Sequence, residues 1–69
     1  MRVRYLADVK EYMIESQDRR YVIERCNHKF ILEEIEWPCN DLSYIGEFNT
    51  LGGALEAVMR NEMEEGETL

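Results

Sequence analysis

The plainest pattern of apolar and polar positions lies in the middle of the chain and predicts a β-hairpin. Residues Tyr21 to Cys26 and Lys29 to Trp37 are rich in β-branched and aromatic side chains, which favour extended strands. Asn27-His28 separates the two segments, and asparagine tolerates the left-handed conformation that a two-residue hairpin turn requires. The pattern therefore predicts two antiparallel strands joined by a tight turn.

Both faces of this predicted hairpin carry apolar side chains. With a two-residue turn, one face holds the opposed pairs Ile23 and Leu32, Arg25 and Phe30, Tyr21 and Glu34, and Arg19 and Glu36. The other face carries Val22, Ile31, Ile35 and Trp37, with Glu24 and Glu33 among them. The pattern leaves open which face is buried, and a half-apolar second face would suit the docking of a partner.

A third strand and a helix follow the hairpin. Pro38 ends the second strand, because proline cannot donate a hydrogen bond to a neighbouring strand. Ser43 to Phe48 then has the composition of a strand. Asn49 or Thr50 offers a helix N-cap, and apolar positions from Leu51 to about Glu64 repeat with the helical period. The sequence therefore predicts a strand followed by a C-terminal helix.

The N-terminal third fits two descriptions. Leu6, Val9 and Met13 are spaced for a helix from about Tyr5 to Gln17, which we predict, while a strand from Val9 to Glu15 is the alternative. The predicted fold is α+β: a three-stranded antiparallel sheet with a C-terminal helix and an N-terminal helix, in the order αβββα. The alternative order is ββββα. A chain of 69 residues has room for a single domain, residues 1–69.

Charge is distributed unevenly along the chain, whose net charge is −7. Seven basic and five acidic residues precede Glu33, whereas ten acidic residues and a single arginine lie from Glu33 onward. Such an anionic segment repels nucleic acid and anionic lipid and attracts basic protein surfaces. We therefore expect a protein partner with a basic surface, such as a nucleic-acid-binding complex, and no direct binding of nucleic acid or membrane.

The expected partner contacts follow from this charge distribution. They are the acidic residues of the second half, with two aromatic residues as anchors because aromatic side chains often dominate interface energetics: Glu33, Glu34, Glu36, Asp41, Glu62, Glu64, Glu65, Trp37 and Tyr44. A homodimer would also suit a domain this small, since self-association would supplement its limited core.

Catalytic and metal-binding patterns are weak in this sequence. Cys26 lies at the hairpin turn and Cys39 beyond the far end of the second strand, more than about 20 Å apart in an extended hairpin, so we expect free thiols. Cys26, His28 and Cys39 are too few to complete a structural zinc site. The single histidine falls in a turn without a neighbouring nucleophile motif. We expect no enzymatic activity, no metal and no cofactor.

No stretch of the sequence has the length or hydrophobicity of a membrane span or a signal peptide. The longest apolar runs, such as Phe30-Ile31-Leu32, are three residues long, whereas crossing a bilayer takes roughly 20 residues. We expect a cytoplasmic protein, in the host cell if a phage encodes it.

Two partial resemblances concern the order and the end of the chain. If the N-terminal helix forms, the order αβββα resembles that of double-stranded RNA-binding domains. The residues that open the last helix, Thr50 to Ala57, lack the basic cluster with which those domains grip phosphate. The segment Tyr44 to Ala57 also resembles the strand-to-helix passage of HicB-type antitoxins, with a G-x-x-x-T-L-x-x-A-L pattern that starts at Gly46.

In size, acidity and sheet-plus-helix layout, the chain resembles small inhibitor proteins of phages and mobile elements, of the anti-CRISPR kind. The resemblance implies a non-catalytic inhibitor that blocks a nucleic-acid-handling partner with an acidic surface that mimics nucleic acid. The alternative function is an antitoxin-like or regulatory subunit, which self-associates and binds its partner through an apolar sheet face.

Overall fold

A computed structural model describes residues 1–17, 19–36 and 38–66, with side chains as far as Met63. Five antiparallel strands form one sheet in the order of the sequence, and a single helix follows them in these ranges. The strands and the helix are β1 Arg2–Leu6, β2 Glu11–Glu15, β3 Arg20–Cys26, β4 Lys29–Glu36, β5 Asp41–Phe48 and α1 Leu51–Gly66. The α+β class and the C-terminal helix are confirmed.

The predicted N-terminal helix is wrong, because residues 2–15 form the hairpin β1–β2. Arg2 to Tyr5 alternate basic and apolar side chains, which suits a strand with two different faces. The backbone oxygen of Leu6 accepts hydrogen bonds from the amides of Val9 (3.3 Å) and Lys10 (2.7 Å), and Lys10 has a φ of 57°. This tight turn reverses the chain, so the helix-like spacing of Leu6, Val9 and Met13 does not correspond to one buried face.

The alternative strand from Val9 to Glu15 is confirmed from Glu11 to Glu15, which is the extent of β2. The sheet therefore has five strands, where the prediction had three and the alternative order had four. The order of double-stranded RNA-binding domains does not apply, because it requires the N-terminal helix.

The central hairpin has the predicted register. Tyr21 lies opposite Glu34, Ile23 opposite Leu32, and Arg25 opposite Phe30. The predicted pair of Arg19 with Glu36 is not part of the ladder, which ends one residue earlier, at Arg20. Asn27 and His28 both have positive φ angles, 50° and 67°. This is the backbone of a type I′ turn, whose twist matches that of the two flanking strands.

The helix packs on one face of the sheet, which we call the helix face. Ile14, Tyr21, Ile23 and Leu32 from the three central strands are fully buried, together with Ala54 and Val58 of the helix. Thr50 caps the helix, since its Oγ1 accepts a hydrogen bond from the amide of Gly53 at 3.0 Å. The face left open by the sequence pattern is thus settled: the face with Ile23 and Leu32 is the core.

Candidate functional site

The second face of the sheet has no helix over it in the described part of the chain, and we call it the open face. Directly opposed residues of antiparallel strands point to the same side, so the strand registers define its members. They form three rows across the five strands: Leu6, Glu11, Glu24, Ile31 and Glu47; Arg4, Met13, Val22, Glu33 and Tyr44; Arg2, Glu15, Arg20, Ile35 and Leu42.

Four carboxylates gather on this open face. Glu11 lies directly opposite Glu24, and Glu33 occupies the next row, opposite Val22. Glu47 lies opposite Ile31 in the same row as Glu11 and Glu24. We call Glu11, Glu24, Glu33 and Glu47 the acidic cluster.

The charges of the acidic cluster are not neutralised by neighbours. Among the described residues, no ion pair or hydrogen bond joins a cluster carboxylate to a basic group. Lys29, opposite Cys26 in the adjoining row, forms no such pair either. Partial desolvation raises the pKa of Glu11, and repulsion from Glu24 and Glu33 raises it further. The fold therefore holds like charges together on this face.

Apart from Lys29, the basic groups of the open face lie toward its other end, and two of them are engaged. Arg4 forms an ion pair with Glu15, with 3.5 Å between Nε and Oε1. Arg20 donates a hydrogen bond from Nη2 to Oδ1 of Asn40 at 2.9 Å. The open face is thus graded, from a row that holds Arg2 and Arg20 to a row whose charged members are all acidic.

Apolar side chains adjoin the acidic cluster. Tyr44, 62% exposed, lies opposite Glu33, and Leu42, 56% exposed, lies in the next row beside Ile35. Val22 is buried between its neighbours even without a helix above it. An exposed aromatic ring next to unpaired carboxylates is a combination that suits binding to an amphipathic, basic protein surface.

Two of the acidic residues predicted to bind a partner point to the helix face. Oε2 of Glu34 lies 3.6 Å from Nε of Arg19. Glu62 accepts a hydrogen bond from the hydroxyl of Tyr21 at 2.7 Å. The Glu62 carboxylate therefore links the helix to the sheet, whereas the Glu34 carboxylate is engaged with Arg19, which precedes β3.

Glu36 and Asp41 lie opposite each other at the end of the β4–β5 hairpin, and both are exposed. Their register places them on the helix side of the sheet, away from Glu33. Trp37 and the side chains of Glu64 and Glu65 lie outside the described residues. Of the predicted contacts, the structure brings Glu33 and Tyr44 together on the open face.

Sequence reasoning missed three members of the acidic cluster: Glu11, Glu24 and Glu47. Glu24 was available from the hairpin pattern, which already placed it on the face of Val22 and Ile31. Glu11 could not be found while its segment was assigned to a helix. The cluster brings together residues from both halves of the chain, so the charge difference between the halves concealed it.

The remaining candidate residues, the two cysteines and the histidine, are exposed. Cys26 and Cys39 are exposed free thiols, and His28 lies exposed in the β3–β4 turn. No group of three or more histidine, cysteine, aspartate or glutamate residues within ranges 1–17, 19–36 and 38–66 could hold a metal ion. Across the same ranges, no helix is long and apolar enough to cross a membrane.

Comparisons with models of protein families, with curated proteins and with solved structures found no match to this chain.

Proposed function

We propose that the chain is a non-catalytic protein-binding module whose open face binds a basic protein surface. The observation that carries this proposal is the pairing of Glu11 with Glu24, with Glu33 in the adjoining row, on a sheet face that no helix of the described residues covers. Exposed Tyr44 beside Glu33 supplies an aromatic anchor next to the charges.

The energetics of the cluster support a role in binding. Like charges directly opposite in an antiparallel pair destabilise the sheet, by roughly 0.5 kcal/mol. The repulsion between Glu11 and Glu24 is therefore a cost to folding that no ion pair among the described residues relieves. A partner that places lysine or arginine over the cluster would relieve it, and the relief would add to the binding free energy.

The partner class follows from the same chemistry. Clustered carboxylates on a sheet face present several negative charges at close spacing, as a nucleic-acid backbone does. The protein surfaces that recognise such an array carry grouped lysine and arginine side chains. We therefore propose an inhibitor of the anti-CRISPR kind, which occupies the basic surface of a nucleic-acid-handling protein and excludes its nucleic acid.

A second candidate function rests on the apolar part of the open face. Leu42 and Tyr44 are more than half exposed, and together with Ile35 they could bind a partner by apolar contact. An antitoxin-like or regulatory subunit would bind in this way. Its affinity would tolerate salt, whereas binding through the acidic cluster would weaken steeply with salt.

The test is affinity capture from a cell lysate with matched variants as bait. Glu24→Lys/Glu33→Lys reverses two charges of the acidic cluster. Asp8→Lys/Glu56→Lys makes the same change in net charge away from the open face, in the β1–β2 turn and on the helix. We expect wild type and the control to retain a nucleic-acid-binding protein that high salt or heparin releases, and the cluster variant to lose it.

Other outcomes separate the candidates. If both variants lost the captured protein equally, net charge alone would be responsible for the binding. If both retained it equally, the acidic cluster would be excluded as the binding site. A partner that survives high salt and is lost in Tyr44→Ala would support binding through the apolar part of the open face.

A further inference from the structure

The two edges of the sheet differ in regularity. The outer strand β5 has a register shift against β4 between Leu32 and Glu33, and it carries Asp41 and Glu47. Charge does not distinguish the two edges, because β1 carries two arginines where β5 carries two acidic residues, but a bulge discourages an edge strand from pairing with another strand. The other outer strand, β1, pairs with β2 without a register shift and contains no proline. Its outer edge is therefore the better template for a further strand.

Strand β1 also exposes apolar side chains on the helix face. Val3 is 44% exposed and Tyr5 is 54% exposed, although their cross-strand neighbours, Ile14 and Tyr12, belong to or pack against the core. The Tyr5 ring packs against the Tyr12 ring with 4.9 Å between centroids. The apolar surface of the helix face thus extends beyond the buried core to the edge strand, where its side chains are exposed.

We propose that β1 pairs with β1 of a second copy of this chain, so that two five-stranded sheets join into one. The antiparallel register that pairs all five residues is centred on Arg4. Val3 then lies opposite Tyr5 of the second copy on the helix face. A β-branched and an aromatic side chain directly opposite each other form a favourable cross-strand pair, and the two-fold symmetry makes this pair twice.

Charge complementarity on the open face favours a second copy as the occupant. In the same register, Arg2 lies opposite Leu6 of the second copy, and Leu6 is in turn opposite Glu11. Arg2 of one copy is thereby two strands, roughly 10 Å between backbones, from Glu11 of the other, within reach of two long side chains. Self-association thus places an arginine beside the row that contains Glu11 and Glu24, which has no basic residue of its own.

The pairing also explains why the arginines of β1 are tolerated at a self-association edge. Arg4 would lie opposite its own symmetry copy, but each Arg4 already has Glu15 as its ion-pair partner at 3.5 Å. The two arginines therefore meet as parts of neutral pairs. An acidic segment of another protein would find Arg4 already paired with Glu15, and of the β1 arginines only Arg2 is absent from the ion pairs of the described residues.

The first test is the oligomeric state of matched tyrosine variants. Tyr5 and Tyr44 are exposed to similar extents on opposite outer strands, 54% and 62%. Sedimentation equilibrium of the full chain should show a dimer in wild type and in Tyr44→Lys. In Tyr5→Lys the dissociation constant should rise at least about tenfold, with circular dichroism confirming that the variant is folded.

A charge exchange provides a second test that does not depend on apolar packing. Arg2→Glu should weaken the dimer about tenfold, and Arg2→Glu/Glu11→Arg should restore it, because the pair is re-formed with reversed signs. Arg2→Glu places a carboxylate opposite Glu15, whereas Glu11→Arg removes the repulsion with Glu24, so the two changes oppose each other in the double variant, and circular dichroism checks that it is folded.

The outcomes that overturn the proposal are distinct. A wild-type chain that remains monomeric at millimolar concentration excludes it. So does a dimer that Tyr44→Lys dissociates and Tyr5→Lys leaves intact, because β5 would then be the contact. Failure of the charge exchange to restore the dimer would exclude the register centred on Arg4. None of these results bears on whether the acidic cluster binds a basic partner.

Discussion

The hydroxyl of Tyr21 in β3 donates a hydrogen bond of 2.7 Å to Oε2 of Glu62 in the helix, although the two residues are 41 positions apart in the sequence. Asn61 and Arg19 donate to the same hydroxyl oxygen, at 3.1 and 3.3 Å. The Tyr21 side chain is fully buried, so its polar end is satisfied by this network. The network attaches the second half of the helix to the centre of the sheet.

Removal of the Tyr21 hydroxyl should loosen this attachment. Tyr21→Phe preserves the ring and leaves Asn61 and Arg19 without their acceptor, so the free energy of unfolding should fall by about 1 kcal/mol. Glu62→Gln retains an acceptor and should cost less. Urea denaturation of wild type and the two variants checks this order. If the free energy of unfolding of Tyr21→Phe equalled that of wild type, the network would not contribute to stability.

The same hydroxyl makes the free energy of unfolding depend on pH in the alkaline range. Burial raises the pKa of Tyr21 above 10.0, and Glu62 adds to the rise, while Asn61 and Arg19 oppose it. The folded state therefore holds this proton more tightly than the unfolded state. Its contribution is complete below pH 10 and is lost as the pH rises through the folded pKa. The stability difference between wild type and Tyr21→Phe should shrink in that range, and a constant difference would contradict the assignment.

The elements with strong local signals were predictable from sequence, and those that depend on tertiary pairing were not. The β3–β4 register followed from two β-rich segments around Asn27-His28, and the helix start followed from the cap and the apolar period. The N-terminal segment has apolar positions at helical spacing, which strand pairing with β3 overrides. Local spacing alone contains no information about that pairing.

The candidate site was predictable to a smaller extent for the same reason. Glu33 and Tyr44 were predicted contacts, and both lie on the open face. The rest of the acidic cluster depends on which residues of separate strands are opposed. Glu34 illustrates the difficulty: it is adjacent to Glu33 in sequence but points to the opposite face, because side chains alternate along a strand.

Repulsion within the acidic cluster should be visible in the titration of Glu11. Its pKa is raised above the ordinary 4.5 by desolvation and by Glu24 and Glu33. Glu24→Gln should lower the Glu11 pKa, as measured by NMR of the carboxyl carbon, and should stabilise the fold at neutral pH by roughly 0.5 kcal/mol. Glu36→Gln, at the end of the β4–β5 hairpin, serves as the control. A Glu11 pKa that is equal in both variants would contradict the cluster's electrostatics.

The β3–β4 turn offers a stabilising substitution away from both proposed binding surfaces. His28 has a φ of 67°, a left-handed conformation that is unfavourable for histidine and free of that cost for glycine. His28→Gly gives the Asn-Gly pair preferred in type I′ turns and should raise the free energy of unfolding by about 0.5–1 kcal/mol. His28→Ala keeps the strain and should show no gain. Thermal unfolding compares the three, and destabilisation by glycine would count against this turn.

The most direct test of the proposed function is to locate the binding of a basic polypeptide on the chain. In an amide NMR titration with an oligoarginine peptide, we expect the largest shifts in the open-face rows with Glu11, Glu24, Glu33 and Glu47. We also expect Glu24→Lys/Glu33→Lys to abolish these shifts and Asp8→Lys/Glu56→Lys to retain them. Shifts concentrated at Glu36 and Asp41, or in the helix around Glu62, would contradict the assignment of the open face as the binding surface.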